Sequence, residues 1–287
     1  MNVIQAVILG ILQGATEFIP VSSSGHLVLV PWLLRWESPG LAFNAVAHWG
    51  TALAVIVYFW EDWVSLVGAA FRPLKERTFG VAGRAAGRAG TPVSNPAESA
   101  HRSLFWLLVL GTVPGALIGY LLDDFFEQMF ARPVAAAGFL LVTAALLAGC
   151  ERWGRREREL VDLRWVDALV IGLAQALAIF PGISRSGATI AAGLFQGTKR
   201  QPAARFSFLL ATPIIVGAGL LQVVELARTG GLGAQAPSLI AGLVAAAVIG
   251  FGCIHFLLRY LEHRRLYPFA VYCLLASVFS LFWAWFR

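Results

Sequence analysis

The sequence predicts an all-α polytopic membrane protein: six spanning helices plus two re-entrant helix–loop–helix hairpins in an inverted-topology repeat. Three observations carry that expectation. Apolar residues fill 58% of the 287 positions and charged residues only 13%, whereas a soluble domain is about a quarter charged. Apolar stretches of about 20 residues, long enough to cross a bilayer, recur along the chain. The third observation is an echo. Gly10–His26 slides by 162 positions onto a second copy, so that Gly10 meets Gly172, Gln13 meets Gln175, Phe18 meets Phe180, Ser22 meets Ser184, Ser24 meets Ser186 and Gly25 meets Gly187.

Taken in order, residues 3–35 are apolar at both ends and broken in the middle by Pro20, Ser22–Ser24 and Gly25. Neither half is long enough to cross, so the stretch reads as a hairpin that enters and leaves on one side. Residues 41–60 form the first span. Residues 61–102 form a basic loop holding Arg72, Lys75, Arg77, Arg84, Arg88 and Arg102, and its Gly/Ala/Arg-rich part, 80–100, reads as flexible. Spans follow at 103–122 and 131–150, joined by a turn with Asp123, Asp124 and Glu127.

A second basic segment, 151–164, leads to the second hairpin at 165–197, broken by Pro181 and Gly182. Three further spans lie at 204–224, 236–258 and 267–286. The turns 196–205 and 259–267 are again basic, and the last span ends in Trp283 and Trp285, an interfacial aromatic belt.

Basic loops mark the cytoplasmic face. That rule puts 61–102, 151–164 and both later basic turns in the cytoplasm, and both termini outside. The first hairpin then enters from outside and the second from the cytoplasm, with the broken tips meeting near the midplane, as in inverted-repeat transport folds. The whole chain, 1–287, reads as one integral membrane domain with halves of about 1–150 and 151–287. A net charge of +6 is accounted for by these loops and implies no nucleic-acid partner. Cys150, Cys253 and Cys273 stand apart, without the spacing of a zinc or redox motif. The N-terminus lacks a basic n-region, so no cleaved signal peptide is expected.

The tips concentrate the polar chemistry. An ionisable group inside a membrane is costly and marks a functional site; Glu17, His26 and Arg185 all fall there. Gln13 and Glu17, four apart, share a helix face and would suit a hard divalent cation, Mg²⁺ or Ca²⁺, completed by water and phosphate oxygens. Glu17 could equally be a general base. Ser22, Ser23 and Ser24 in one tip, and Ser184 and Ser186 in the other, open a helix after a break. N-terminal N–H groups and the helix dipole make such a place an anion site, and Arg185 adds a planar fork. The ligand expected is strongly anionic, more like a diphosphate than a carboxylate.

A relay is feasible in which Glu17 orients His26, His26 takes the proton of Ser23, and Ser23 attacks phosphorus. A metal-bound water or His26 itself could instead be the nucleophile. Asn44 and His48 share a face near the outer end of the first span and either line the cavity or pack. Thr112 and Pro114 are expected to bend their span.

Gln13-x-x-x-Glu17-Phe18-Ile19-Pro20-Val21-Ser22-Ser23-x-Gly25-His26 and Pro181-Gly182-Ile183-Ser184-Arg185-Ser186-x-x-Thr189 resemble the two signature motifs of the undecaprenyl-diphosphate phosphatase family, the bacitracin-resistance proteins. The resemblance extends over nearly the whole chain. It implies an inner-membrane hydrolase that removes the terminal phosphate of a C55 polyprenyl diphosphate, needs a divalent cation and feeds the monophosphate back to peptidoglycan synthesis. It implies Glu17 as acid/base or metal ligand, Ser23 and His26 as catalytic groups, Arg185 as phosphate binder, and Ser184, Ser186 and Thr189 at the phosphate. Position 13 is Gln where several relatives have Glu, so a two-carboxylate metal site is not implied.

The partners expected are the polyprenyl diphosphate and the bilayer, and a homodimer is compatible with such a chain. The competing reading is a transporter or flippase of a polyprenyl phosphate, since inverted repeats with broken helices also build carriers. The Glu, His and Ser of the first tip favour chemistry over translocation.

Overall fold

The computed structural model describes residues 1–71, 96–229 and 236–286, and the side chains of 41, 123, 124, 126, 127 and 221–229 also lie outside that description. The described chain is built from twelve α-helices: α1 (Val3–Phe18), α2 (Ser23–Leu34), α3 (Gly40–Tyr58), α4 (Trp60–Phe71), α5 (Pro96–Leu121), α6 (Asp123–Phe130), α7 (Pro133–Trp153), α8 (Trp165–Leu177), α9 (Arg185–Phe195), α10 (Arg200–Thr229), α11 (Ala236–His263) and α12 (Tyr267–Trp285).

Five helices, α5, α7, α10, α11 and α12, are long and apolar enough to cross a membrane, and the pair α3–α4, bent by 75°, passes the same test only when its two helices are taken together. The protein is therefore an all-α, multi-pass membrane protein. On α11 the division of labour is visible: Ile240, Val244, Val248 and Phe251 form an exposed stripe, while Leu239, Gly242, Ala246, Gly250 and Ile254 face inward. The outer stripe is apolar because it meets lipid, where such side chains incur no penalty.

Several boundaries differ from the sequence expectation. Residues 61–71, assigned to a basic loop, are helical as part of α4: Glu61 and Asp62 stabilise its first turn through the helix dipole, and Leu66 and Ala69 are buried. Residues 96–102 already belong to α5. The rest of that loop, with Arg72, Lys75, Arg77, Arg84, Arg88 and the Gly/Ala/Arg-rich part up to 95, lies outside the described residues. The acidic 123–130 turn is the short helix α6. The 196–205 and 259–267 turns shrink because α10 starts at Arg200 and α11 continues to His263.

Each predicted hairpin is a pair of helices around a break, 19–22 between α1 and α2 and 178–184 between α8 and α9. Their first helices dock through glycine. A Cβ at Gly10 would overlap the Gly242 carbonyl of α11, and one at Gly172 would overlap the Gly111 carbonyl of α5. The α1 helix thus lies on a span from late in the chain, and α8 on a span from early in it. Helix α7 packs against α12, α9 and α2 and joins α12 through Ser277, whose hydroxyl donates to the Ala137 carbonyl at 2.6 Å.

A polar knot closes the basic end. Glu151, with no exposed side-chain surface, accepts from Arg156 Nη1 (2.7 Å), Arg200 Nε and Nη2 (2.7 and 2.6 Å) and the Leu266 N–H (2.8 Å). It ties the end of α7 to the start of α10 and to the α11–α12 turn. Beside it Arg158 grips Asp167 through both terminal nitrogens, at 3.1 and 2.6 Å, which pushes the guanidinium pKa upward.

Candidate active site

The two breaks carry the same capping chemistry. Ser22 caps α2, its Oγ accepting from the Gly25 N–H at 3.2 Å, and Ser184 caps α9, accepting from the Gly187 N–H at 3.0 Å. In each tip the capping hydroxyl pairs with the serine two positions on: Ser22 with Ser24 at 3.3 Å, Ser184 with Ser186 at 3.2 Å. The next first-turn N–H groups have no helical carbonyl behind them, so both helix starts present donors and partial positive charge. The first break relies on Ser22 at φ 73° and the second on Gly182 at φ 102°. A side chain at Gly182 would also strike the Ala136 carbonyl. Thr143 of α7 holds this second break, donating to the Gly182 carbonyl and accepting from the Ser184 N–H, both at 2.9 Å.

The tips meet. Gly25 lies so close to Gly182 that a Cβ there would come within 3.0 Å of its Cα. Across that contact Arg185 Nη2 donates to Glu17 Oε1 at 2.6 Å, joining residues 168 apart in sequence. The carboxylate's other oxygen, Oε2, accepts from Gln13 Nε2 at 2.9 Å and from the Ser23 hydroxyl. Glu17 is 6% exposed and Gln13 wholly buried, while Ser23, Ser24 and Arg185 are half-buried and form the open side. Two polar atoms here have no hydrogen-bond partner, Arg185 Nη1 and Gln13 Oε1. Buried polar groups are nearly always satisfied, so the pair points to a ligand with an anionic face for the guanidinium and a positive one for the amide oxygen.

Of the arrangements the sequence left open, the Glu17–His26–Ser23 relay is not formed in this structure. Ser23 bonds to Glu17 directly, without His26 between them. Instead His26 Nδ1 donates to the Ser22 carbonyl at 2.7 Å, and Nε2 lies 2.7 Å from the Tyr272 hydroxyl of α12. A carbonyl can only accept, so the neutral ring carries its hydrogen on Nδ1 and Nε2 receives the phenol O–H. The cause is helical register. His26 follows Ser22 by four positions, so the imidazole folds back onto the capping residue's carbonyl.

Thr189 also differs from expectation: its hydroxyl donates to the Arg185 carbonyl at 2.7 Å and pairs with Ser207 of α10 at 2.6 Å. At position 189 the side chain faces the α9–α10 seam, away from the open side. The structure adds Tyr272, Thr143 and Ser207 to the polar surroundings of the tips. Tyr272 and Ser207 sit inside spans with no motif about them; Thr143, a lone hydroxyl in the apolar 131–150 run, was the one readable signal.

His48 of α3 approaches the same carboxylate, its Nε2 3.9 Å from Glu17 Oε2. Among the described residues no three His, Cys, Asp or Glu side chains gather as a metal cage. One carboxylate with an unpartnered amide oxygen fits a cation that phosphate oxygens complete, the usual way Mg²⁺ is held. An open apolar groove of about 330 Å³, lined by Ile118, Leu122, Leu173, Ala176, Leu177 and Phe180, abuts the second break.

Residues 6–279 match the family model of the bacitracin resistance protein BacA. The chain is 42% identical to an undecaprenyl-diphosphatase of Desulforudis audaxviator over 278 residues, 97% of this chain and 96% of the relative. It is 43% identical to one of Thermomicrobium roseum, covering 95% of this chain and 94% of that one. An undecaprenyl-diphosphatase of Geobacter sulfurreducens is 43% identical, with 96% of each chain covered.

Proposed function

The chain belongs to the family of the bacitracin resistance protein BacA, and from that membership and the joined tips we propose that it is an undecaprenyl-diphosphatase. It hydrolyses the terminal phosphate of undecaprenyl diphosphate to inorganic phosphate and the monophosphate carrier, which returns to peptidoglycan synthesis. One observation carries the chemical reading: a serine hydroxyl bonded to a buried carboxylate, beside an arginine with one nitrogen unpartnered.

In this reading Arg185 Nη1 and the N–H groups opening α2 and α9 bind the terminal phosphate. Glu17 takes the Ser23 proton as Oγ bonds to phosphorus, and the bridging P–O bond breaks. The proton then goes to the departing lipid monophosphate. Water attacks the phosphoserine, releasing inorganic phosphate and returning a proton to Oγ. His26, held by Ser22 and Tyr272, borders this centre as a second acid–base group. A divalent cation near Gln13 and Glu17 would neutralise charge on the diphosphate. The open apolar groove beside Phe180 supports a place for the first part of the tail.

We further propose that the site lies in the bacterial inner membrane, opens outward, and sits between halves related by inverted topology. The positive-inside pattern supports the orientation, and the exchanged packing of α1 on α11 and α8 on α5 supports the repeat. That same packing is what a carrier of polyprenyl phosphate would use. Purified protein with undecaprenyl diphosphate separates the two. Phosphate release that stops with chelator and resumes with Mg²⁺ or Ca²⁺ supports the phosphatase, whereas lipid flux in liposomes without release supports the carrier. Labelling of Ser23→Cys by an impermeant thiol reagent from the cytoplasmic side alone would overturn outward access.

A further inference from the structure

We propose that His48 is a third ligand of the cation site, so that this chain favours first-row transition ions, for which Mn²⁺ serves as the spectroscopic probe, over Ca²⁺. The inference rests on the cation reading above and deepens it. His48 Nδ1 donates to the Asn44 carbonyl, one helical turn back, at 2.7 Å. That bond assigns the hydrogen to Nδ1 and leaves the lone pair of the neutral ring on Nε2. Metal-bound histidines characteristically give their other ring N–H to a carbonyl or carboxylate in this way.

The lone pair faces an electron-rich neighbour. Nε2 lies 3.9 Å from Glu17 Oε2, beyond hydrogen-bond range. Two donors each about 2.1 Å from one ion stand roughly 3 to 4.2 Å apart, depending on the angle between them. The same Oε2 holds the Gln13 amide at 2.9 Å, and the Gln13 Oε1 is buried without a partner. Asn44 Oδ1, on the His48 face of α3, is a second buried carbonyl oxygen with no partner. The competing cation is on the other side: Arg185 binds Oε1, not Oε2. The carboxylate thus divides the site, with the guanidinium at one oxygen and, at the other, the Gln13 amide, the Ser23 hydroxyl and the His48 ring nitrogen.

Chemistry then selects the ion. Ca²⁺ and Mg²⁺ prefer oxygen throughout, while an imidazole shifts preference toward first-row transition ions. His48 keeps 33% of its side-chain surface exposed, which leaves room for water and phosphate oxygens to finish the shell.

The test is Mn²⁺ binding to purified protein in detergent, titrated by the free-ion EPR signal. Electron spin-echo modulation then detects ¹⁴N bonded to the bound ion. Wild type and His26→Gln are expected to show imidazole ¹⁴N modulation; His48→Gln should lose it and bind Mn²⁺ about tenfold more weakly, with the Ca²⁺ affinity little changed. Modulation that persists in His48→Gln would overturn the proposal. Mn²⁺ binding that depends on Glu17 (lost in Glu17→Gln) but shows no ¹⁴N modulation in wild type would overturn His48 alone. Absence of Mn²⁺ binding at millimolar concentration would overturn the cation reading as well.

Discussion

Replacing Arg185 by lysine keeps a positive charge in the site and removes the planar fork. The guanidinium divides its work, Nη2 to Glu17 Oε1 at 2.6 Å and Nη1, buried and unpartnered, to the phosphate. A single ammonium on a flexible stem can satisfy Glu17 or the substrate in good geometry, not both. The loss is one charge-assisted hydrogen bond, worth about 1.5–3 kcal/mol, which at 1.4 kcal/mol per factor of ten means roughly a 10- to 150-fold fall in kcat/KM. Alanine is the poorer probe because it strands the buried Glu17 carboxylate, a cost of about 3–5 kcal/mol that would confuse misfolding with lost chemistry. The assay is phosphate release from undecaprenyl diphosphate by Arg185→Lys, with thermal unfolding in detergent confirming an intact fold. A kcat/KM within twofold of wild type would refute the assignment of Nη1 to the substrate.

The remaining predictions concern stability and positioning. Glu151→Gln leaves the half-buried Arg156 and Arg200 short of their carboxylate and should cost about 1.5–3 kcal/mol; an unchanged unfolding temperature would contradict the knot. Gly172→Ala forces α8 off the Gly111 carbonyl and should destabilise by about 1–3 kcal/mol. Gly138→Ala, where a Cβ meets nothing within 4 Å, should be neutral or mildly stabilising, and equal effects of the two would dismiss the close approach. Tyr272→Phe frees His26 Nε2 at a cost of about 1 kcal/mol, so kcat should fall about fivefold with KM unchanged. A change confined to KM would place Tyr272 at the substrate instead.

Much of this was readable because it is local. Gln13 and Glu17 meet because helical register puts positions four apart together. Ser22 and Ser184 cap because each follows a proline-containing break and precedes a small residue at N3. The meeting of the tips followed from the repeat, which aligns Ser23 with Arg185 and leaves one carboxylate for both copies. What resisted reading is long-range or depends on side-chain direction. Tyr272 reaches His26 across 246 residues from an apolar span that carries no motif. Thr189 looked like a phosphate contact because it ends the motif, yet its turn of α9 points at Ser207. The His26 relay failed for the same reason: adjacency in a motif does not state which way a ring faces. Helix α4 was not legible because Glu61 and Asp62 open it and the basic run from Arg72 follows it, so that 61–71 reads as part of a loop.

The central claim is that the two tips act as one site. Its most direct measurement is kcat/KM for phosphate release by Glu17→Gln, Arg185→Lys and the double variant. Residues working as a unit are non-additive, so the double variant should be about as impaired as the worse single variant. Losses that multiply would show Glu17 and Arg185 acting independently and would contradict the account.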